Sequence, residues 1–181
     1  VKQPSFKGLT VAELAGAVCS HLESEGIDAV LVGGSVVTVY TDNRFVSNDL
    51  DIVTSAGGQR LAEAMKKIGF STTDKRYMTH PDAAWLIEFL NAPVAVGGKT
   101  SIRPREMKTA LGSFKVLSPL DIIKDRLIWR QHYNDAQALE QAVMVCRSQK
   151  LDLTGLAAWA KREGTQDSVQ ELMRRVSDEK D

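Results

Sequence analysis

The sequence is poor in the residues that build thiolate sites and disulfide frameworks, with two cysteines and three histidines among 181 residues. Cys19 and Cys146 lie far apart in helical patterns and show no CxxC spacing. That argues against a disulfide scaffold and a zinc finger, and both read as small buried apolar residues in reducing surroundings. His21, His80 and His132 are scattered, none with a second ligand three or four positions away. No apolar run approaches the roughly 20 residues of a membrane span. The opening Val1-Lys-Gln-Pro-Ser-Phe6 lacks the unbroken apolar stretch of a signal peptide, so a cytoplasmic location is expected. Charge of one sign is missing too, since 23 basic side chains balance 23 acidic ones. Any grip on nucleic acid must then come from a local patch. Internal repeats and low-complexity segments are absent.

What is present reads as an α/β unit followed by helices. Thr10-Val-Ala-Glu13 has capping-box spacing, and Leu14, Val18 and Leu22 recur at four-residue steps before Gly26, which predicts an amphipathic helix. Asp28 to Val32 is a short β-branched run, best read as a buried strand. Gly33-Gly34 breaks it, and a short helix is expected from Ser35 to about Tyr40, with the Ser35 hydroxyl as its cap. Ser47 to Val53 predicts a second strand, Gln59 to Ile68 a helix ended by Gly69, and Ala84 to Leu90 a third strand. Met107 to Leu117 reads as a hairpin turning at Gly112-Ser113. Pro119 suits a first helical turn, with Leu120, Ile123 and Leu127 as an apolar stripe. Ala136 to Cys146, Leu153 to Arg162 and Val169 to Val176 continue as helices, and Asp178 to Asp181 are expected to fray. The pattern divides the chain into a core of residues 1–118 and a helical segment of residues 119–181.

Three features carry chemistry. A strand, a Gly33-Gly34-Ser35 turn and a helix form a layout that cradles phosphate, because glycines let the backbone approach an anion and helix N-termini favour negative charge. Many ordinary turns look the same. Asp49-Leu50-Asp51 places two carboxylates on one face of a strand. Side by side they repel, and a hard divalent cation such as magnesium resolves the conflict; the alternative is an edge strand with its polar face in water. Glu88 stands alone in Trp85-Leu-Ile-Glu-Phe-Leu90, where a buried acid needs either a metal or a cationic partner such as Arg44 or a lysine.

Together these pieces resemble the motif of the nucleotidyltransferase superfamily: an apolar residue, Gly-Gly or Gly-Ser, a spacer, Asp-x-Asp, and a third acid on a later strand. Here they are Val32-Gly33-Gly34-Ser35, Asp49-Leu50-Asp51-Ile52 and Ile87-Glu88-Phe89, with thirteen residues between Ser35 and Asp49. The looser similarity extends to the abortive-infection (AbiEii-like) branch. It rests on Ser47 just before Asp49 and on a helix bearing Lys124, Arg130 and then Asp135 within Leu117-Ser-Pro-Leu-Asp-Ile-Ile-Lys-Asp-Arg126 and its continuation.

The resemblance implies an α+β fold with a nucleotidyltransferase-like mixed sheet flanked by helices and a C-terminal helical extension. It implies transfer of a nucleoside monophosphate from an NTP to an acceptor hydroxyl, on a tRNA 3′ end, a protein or a small molecule, in a toxin–antitoxin or phage-defence setting with a cognate toxin or antitoxin as partner. Asp49, Asp51 and Glu88 would hold one or two Mg2+ ions. Gly33, Gly34, Ser35, Ser47, Lys124 and Arg130 would contact the nucleotide. Alternatives are a non-catalytic antitoxin-like or regulatory protein that keeps the fold, and a sugar-nucleotide transferase, which also uses Asp-x-Asp.

Two further features stay open. From Lys99 to Arg130 eight basic residues (Lys99, Arg103, Arg105, Lys108, Lys115, Lys124, Arg126, Arg130) face only Glu106, Asp121 and Asp125, a net of +5. This is either a solvated face or, beside a phosphate site, a surface for RNA. Trp85, Trp129 and Trp159 read as packing residues, with base stacking as the other role for Trp129.

Overall fold

Thr10 and Glu13 form the capping box that their spacing predicts. The Thr10 hydroxyl accepts from the Glu13 N–H, and the Glu13 carboxylate accepts from the Thr10 N–H at 2.8 Å. Helix α1 (Val11–Ser24) follows in a computed structural model that describes residues 5–73 and 76–178. Its buried face includes the predicted Leu14, Val18 and Leu22, together with Val11 and Ala15. Strand β1 (Ala29–Val32) is buried throughout and leads directly into α2 (Gly33–Tyr40). That helix starts two residues before the position expected for it. Ser35 therefore lies in its first turn, fully buried, and its hydroxyl donates back to the Val32 carbonyl at 2.9 Å instead of capping.

Asp42 and Asn43 turn the chain with φ of 52° and 60°, a left-handed geometry that short polar side chains tolerate. Strand β2 (Asp49–Thr54), helix α3 (Gly58–Lys67), strands β3 (Ser71–Thr72), β4 (Tyr77–Thr79), β5 (Leu86–Asn91), β6 (Arg105–Thr109) and β7 (Gly112–Val116) complete the sheet. The strand order is β3-β4-β5-β2-β1-β7-β6. β1 runs antiparallel to β2 and parallel to β7, and β2 runs parallel to β5, so the sheet is mixed.

The β6–β7 hairpin turns at Ala110-Leu111, not at Gly112-Ser113. Thr109 pairs with Gly112 across the turn, and its hydroxyl donates to the Gly112 carbonyl at 3.0 Å. Gly112 serves a different purpose. A Cβ there would lie 2.6 Å from the Gly16 carbonyl of α1, and its φ is +140°, so glycine permits helix and hairpin to touch. Ser20 then ties α1 to the hairpin, accepting from the Ser113 N–H at 2.8 Å and donating to the Ser113 carbonyl at 3.1 Å.

Ser118 caps helix α4 (Pro119–Tyr133), which carries Pro119 in its first turn and ends at Asn134 in the left-handed conformation. Asp135 caps α5 (Ala136–Ser148), and α6 (Leu156–Glu163) and α7 (Gln166–Ser177) follow. A single cluster of buried apolar side chains runs from Leu14, Leu31 and Ile52 through Ile122, Ile123 and Leu127 to Val143 and Leu172. The helices beyond residue 118 thus share one core with the sheet. Of Asp178 to Asp181, expected to fray, Asp178 is the C-cap of α7 with its N–H bonded to the Arg174 carbonyl, and residues 179–181 lie outside the described residues. None of the described helices is long and apolar enough to cross a membrane.

Candidate active site

Alternation along β2 decides what faces what. Leu50 and Ile52 are fully buried on one face, while Asp49, Asp51 and Val53 line a cleft of about 630 Å3 on the other. Parallel pairing sets Asp51 beside Glu88 and Val53 beside Leu90, so β5 contributes its own acid and its own apolar residue to the same floor. One carboxylate oxygen from each of Asp49, Asp51 and Glu88 lies within 4.8 Å of the other two. Acids 39 positions apart in sequence thus meet because two strands run in register.

Antiparallel pairing of Val32 with Asp51 brings the start of α2 to this cluster. Gly33 has φ of +65°, and a Cβ there would collide with the Asp51 carboxylate. Glycine is required for both conformation and space. α2 also positions Asp49. Thr38 donates to the Gly34 carbonyl at 3.3 Å and accepts from the Ser47 N–H at 2.9 Å. The Ser47 hydroxyl donates to Asp49 Oδ1 at 3.1 Å, so a chain of hydrogen bonds runs from the glycine turn to the acid.

The electrostatics follow from the crowding. Burial is the main cause that pushes the Asp51 carboxyl up to about 6, and the negative charges of Asp49 and Glu88 add to it. Arg126 and Arg76 oppose the shift. Glu88, 7 % exposed, is gripped by the Arg76 fork, with Nε to Oε1 at 2.5 Å and Nη2 to Oε2 at 3.0 Å. Its partner is therefore Arg76. Arg44 instead donates to the Thr41 carbonyl and, at 2.6 Å, to the Ser148 hydroxyl of α5.

α4 supplies Asp125, Arg126 and Trp129 to the cleft, and Asp135 comes from the start of α5. Asp125 and Arg126 are paired with one another. Lys124 and Arg130 do not line the cleft. Lys124 lies 5.6 Å from the centre of the Trp159 ring, and burial lowers its pKa. Arg130 bonds Glu171 of α7 and Asn134. Lys115 is committed to Asp28 at 2.6 Å, so the basic stretch does not assemble as one surface beside the acids. Arg76 and Arg126 are the functional candidates that reading the sequence missed. Arg126 was visible only as one member of the basic stretch from Lys99 to Arg130, and nothing local marks Arg76. The two cysteines are free, and burial pushes the Cys19 thiol up to about 12 and the Cys146 thiol to about 11.

Comparison with solved structures bears on the architecture. An antigenic nucleotidyltransferase-like protein from Paracoccidioides brasiliensis superposes with a TM-score of 0.66, at 11 % identity, over 97 % of this chain and 92 % of the other. The chain has a nucleotidyltransferase-like fold. The antibiotic-resistance factor ANT(2'')-Ia also superposes, with a TM-score of 0.52 and 13 % identity, over 92 % of this chain and 94 % of that one. No protein-family model matches the sequence, and no curated protein matches it. At such low identity the likeness establishes the fold and leaves the chemistry to the site.

Proposed function

We propose that this chain is a magnesium-dependent nucleotidyltransferase that moves a nucleoside monophosphate from an NTP to an acceptor hydroxyl. One observation carries the reading: three carboxylates converge within 4.8 Å beside a glycine turn that opens a helix. The donor set fits a hard dication, being all oxygen and carrying formal charge that crowding makes costly. Bound by Asp49, Asp51 and Glu88, one or two ions would polarise the phosphate and lower the pKa of the attacking hydroxyl.

The remaining roles belong to the chain itself. Ser47 orients Asp49. The first amides of α2 have no partner within the helix and suit a phosphate, and of the Gly33-Gly34-Ser35 turn it is Gly33 that lines the cleft. The Ser35 hydroxyl is already engaged with Val32 and the residue is fully buried, so Ser35 would brace the turn rather than touch phosphate. Arg126, rather than Lys124 or Arg130, is the α4 cation that stands in the cleft to balance charge on leaving pyrophosphate. Leu90, Val94 and Trp129 give the same cleft an apolar wall for a planar base.

The cleft lining carries five carboxylates (Asp49, Asp51, Glu88, Asp125, Asp135) against two guanidiniums (Arg76, Arg126). A protein or small-molecule acceptor bearing positive charge suits that balance better than the polyanionic end of a tRNA. A role within a toxin–antitoxin or phage-defence pair, as in the AbiEii-like branch, is part of the same proposal and is tested by the function of adjacent genes.

The second reading, a binding protein that retains the fold without turnover, is favoured by one feature: Arg76 occupies the third acid. Incubation with NTPs labelled at the α-phosphate separates the two. Transfer of label to an acceptor by the native protein, abolished by Asp51→Ala, supports catalysis. Failure of all four NTPs to label anything, with partner binding unaffected by Asp49→Ala, supports the binding protein.

A further inference from the structure

We propose that Arg76 is an exchangeable counter-cation: it holds Glu88 before a divalent ion arrives, and passes to the phosphate chain of the nucleotide once the ion takes Glu88. This rests on the metal-dependent reading above. The pair is asymmetric. Glu88 side-chain exposure is 9 %, whereas 64 % of the Arg76 side chain is exposed, so a buried acid is neutralised by an arm reaching in from solvent. Glu88 is too buried to stay charged without a partner, so Arg76 serves the metal-free fold, and an arm so exposed can swing away once another cation takes its place.

The backbone anchors the arm where an exchange needs it. Arg76 immediately precedes β4, and Tyr77 pairs with Glu88 across the β4–β5 ladder. Its charge acts on the whole cluster, since Asp49 and Asp51 also lie in its field. A dication sharing the carboxylate oxygens would remove the attraction that holds the guanidinium and replace it with repulsion. The guanidinium fork then has the geometry to take two oxygens of the phosphate that accompanies the ion. A +1 guanidinium leaves the carboxylate as a +2 ion enters, and the phosphate chain that accompanies the ion supplies the negative charge that both then face.

The exchange predicts opposite effects on two ligands. With Mn2+ alone, followed by electron paramagnetic resonance of the free ion, Arg76→Gln should bind about tenfold more tightly than the native protein, because a charge-assisted competitor for Glu88 is gone. With tripolyphosphate in saturating Mn2+, the same variant should bind about tenfold more weakly, while Arg76→Lys, which keeps the charge without the fork, falls between. In the native protein the NMR signal of the Arg76 Nε–H should shift when Mg2+ is added, a measurement that needs no variant to fold. Equal Mn2+ affinity in the native protein and Arg76→Gln, or an Nε–H signal that ignores Mg2+ binding, overturns the exchange alone. No Mn2+ binding by either protein overturns the metal reading on which it stands.

Discussion

The two faces of β2 are built from neighbouring residues with opposite consequences. Leu50 and Ile52 point into the core and are fully buried. Asp49 and Asp51, one step away on the same strand, crowd against Glu88 in the cleft. The core face contributes stability, each such side chain adding roughly 1.5–3 kcal/mol when buried. The cleft face opposes it, because burial and like charge hold the Asp51 carboxyl at about 6. A strand carrying both shows that the fold and the site have separable energetics, even where their residues alternate.

The largest effect should come from the cleft face. Asp51→Asn should lower nucleotidyl transfer at least about a thousandfold, several kcal/mol of lost transition-state stabilisation. The same change should raise stability at pH 7 by on the order of 1–2 kcal/mol, since it removes a strained negative charge; a urea melt with metal omitted measures it. A loss of stability on that substitution would break the comparison. On the other face, Ile52→Ala should cost about 2–5 kcal/mol of stability through cavity formation. Its activity per folded molecule should stay near native, as thermal melts paired with labelling at low temperature would establish.

The pH dependence sharpens the contrast. The folded-state pKa of Asp51, about 6, stands above its ordinary value of 3.8, so the native state binds the proton more readily than the unfolded chain does. This group's contribution therefore rises as pH falls through 6 and is complete below about 4, a gain of about 1 kcal/mol between pH 7 and pH 5. The gain should vanish in Asp51→Asn, measured as the difference between the two proteins' stabilities across that range. Metal affinity should move the other way and weaken below pH 6 as the ligand protonates. The smallest effect lies far from the cleft: Thr10→Ala breaks the α1 capping box and should cost about 1 kcal/mol in a denaturant melt with transfer unchanged.

Much of this was legible in the sequence because it depended on local periodicity. The alternation of Asp49-Leu50-Asp51-Ile52 specified which side chains share a face, and the apolar run around Glu88 marked an acid that needed a partner. The α1 stripe, its capping box and Pro119 in the first turn of α4 were equally readable. What escaped depended on contacts distant in sequence. Glu88 takes Arg76 rather than Arg44 because β4 pairs with β5, a relation no spacing encodes. Lys124 and Arg130 seemed suited to phosphate as charges on a helix, yet the packing of α6 and α7 against α4 directs them to Trp159 and Glu171. Gly112 looked like a turn and is instead the point where α1 touches the hairpin.

Diffraction from crystals soaked in Mn2+, recorded at a wavelength where manganese scatters anomalously, tests the central claim most directly. The account predicts an anomalous peak bonded to oxygens of Asp49, Asp51 and Glu88, with the Arg76 guanidinium moved off Glu88. Saturating Mn2+ that leaves no peak among the three carboxylates, with Arg76 still bound to Glu88, would contradict it.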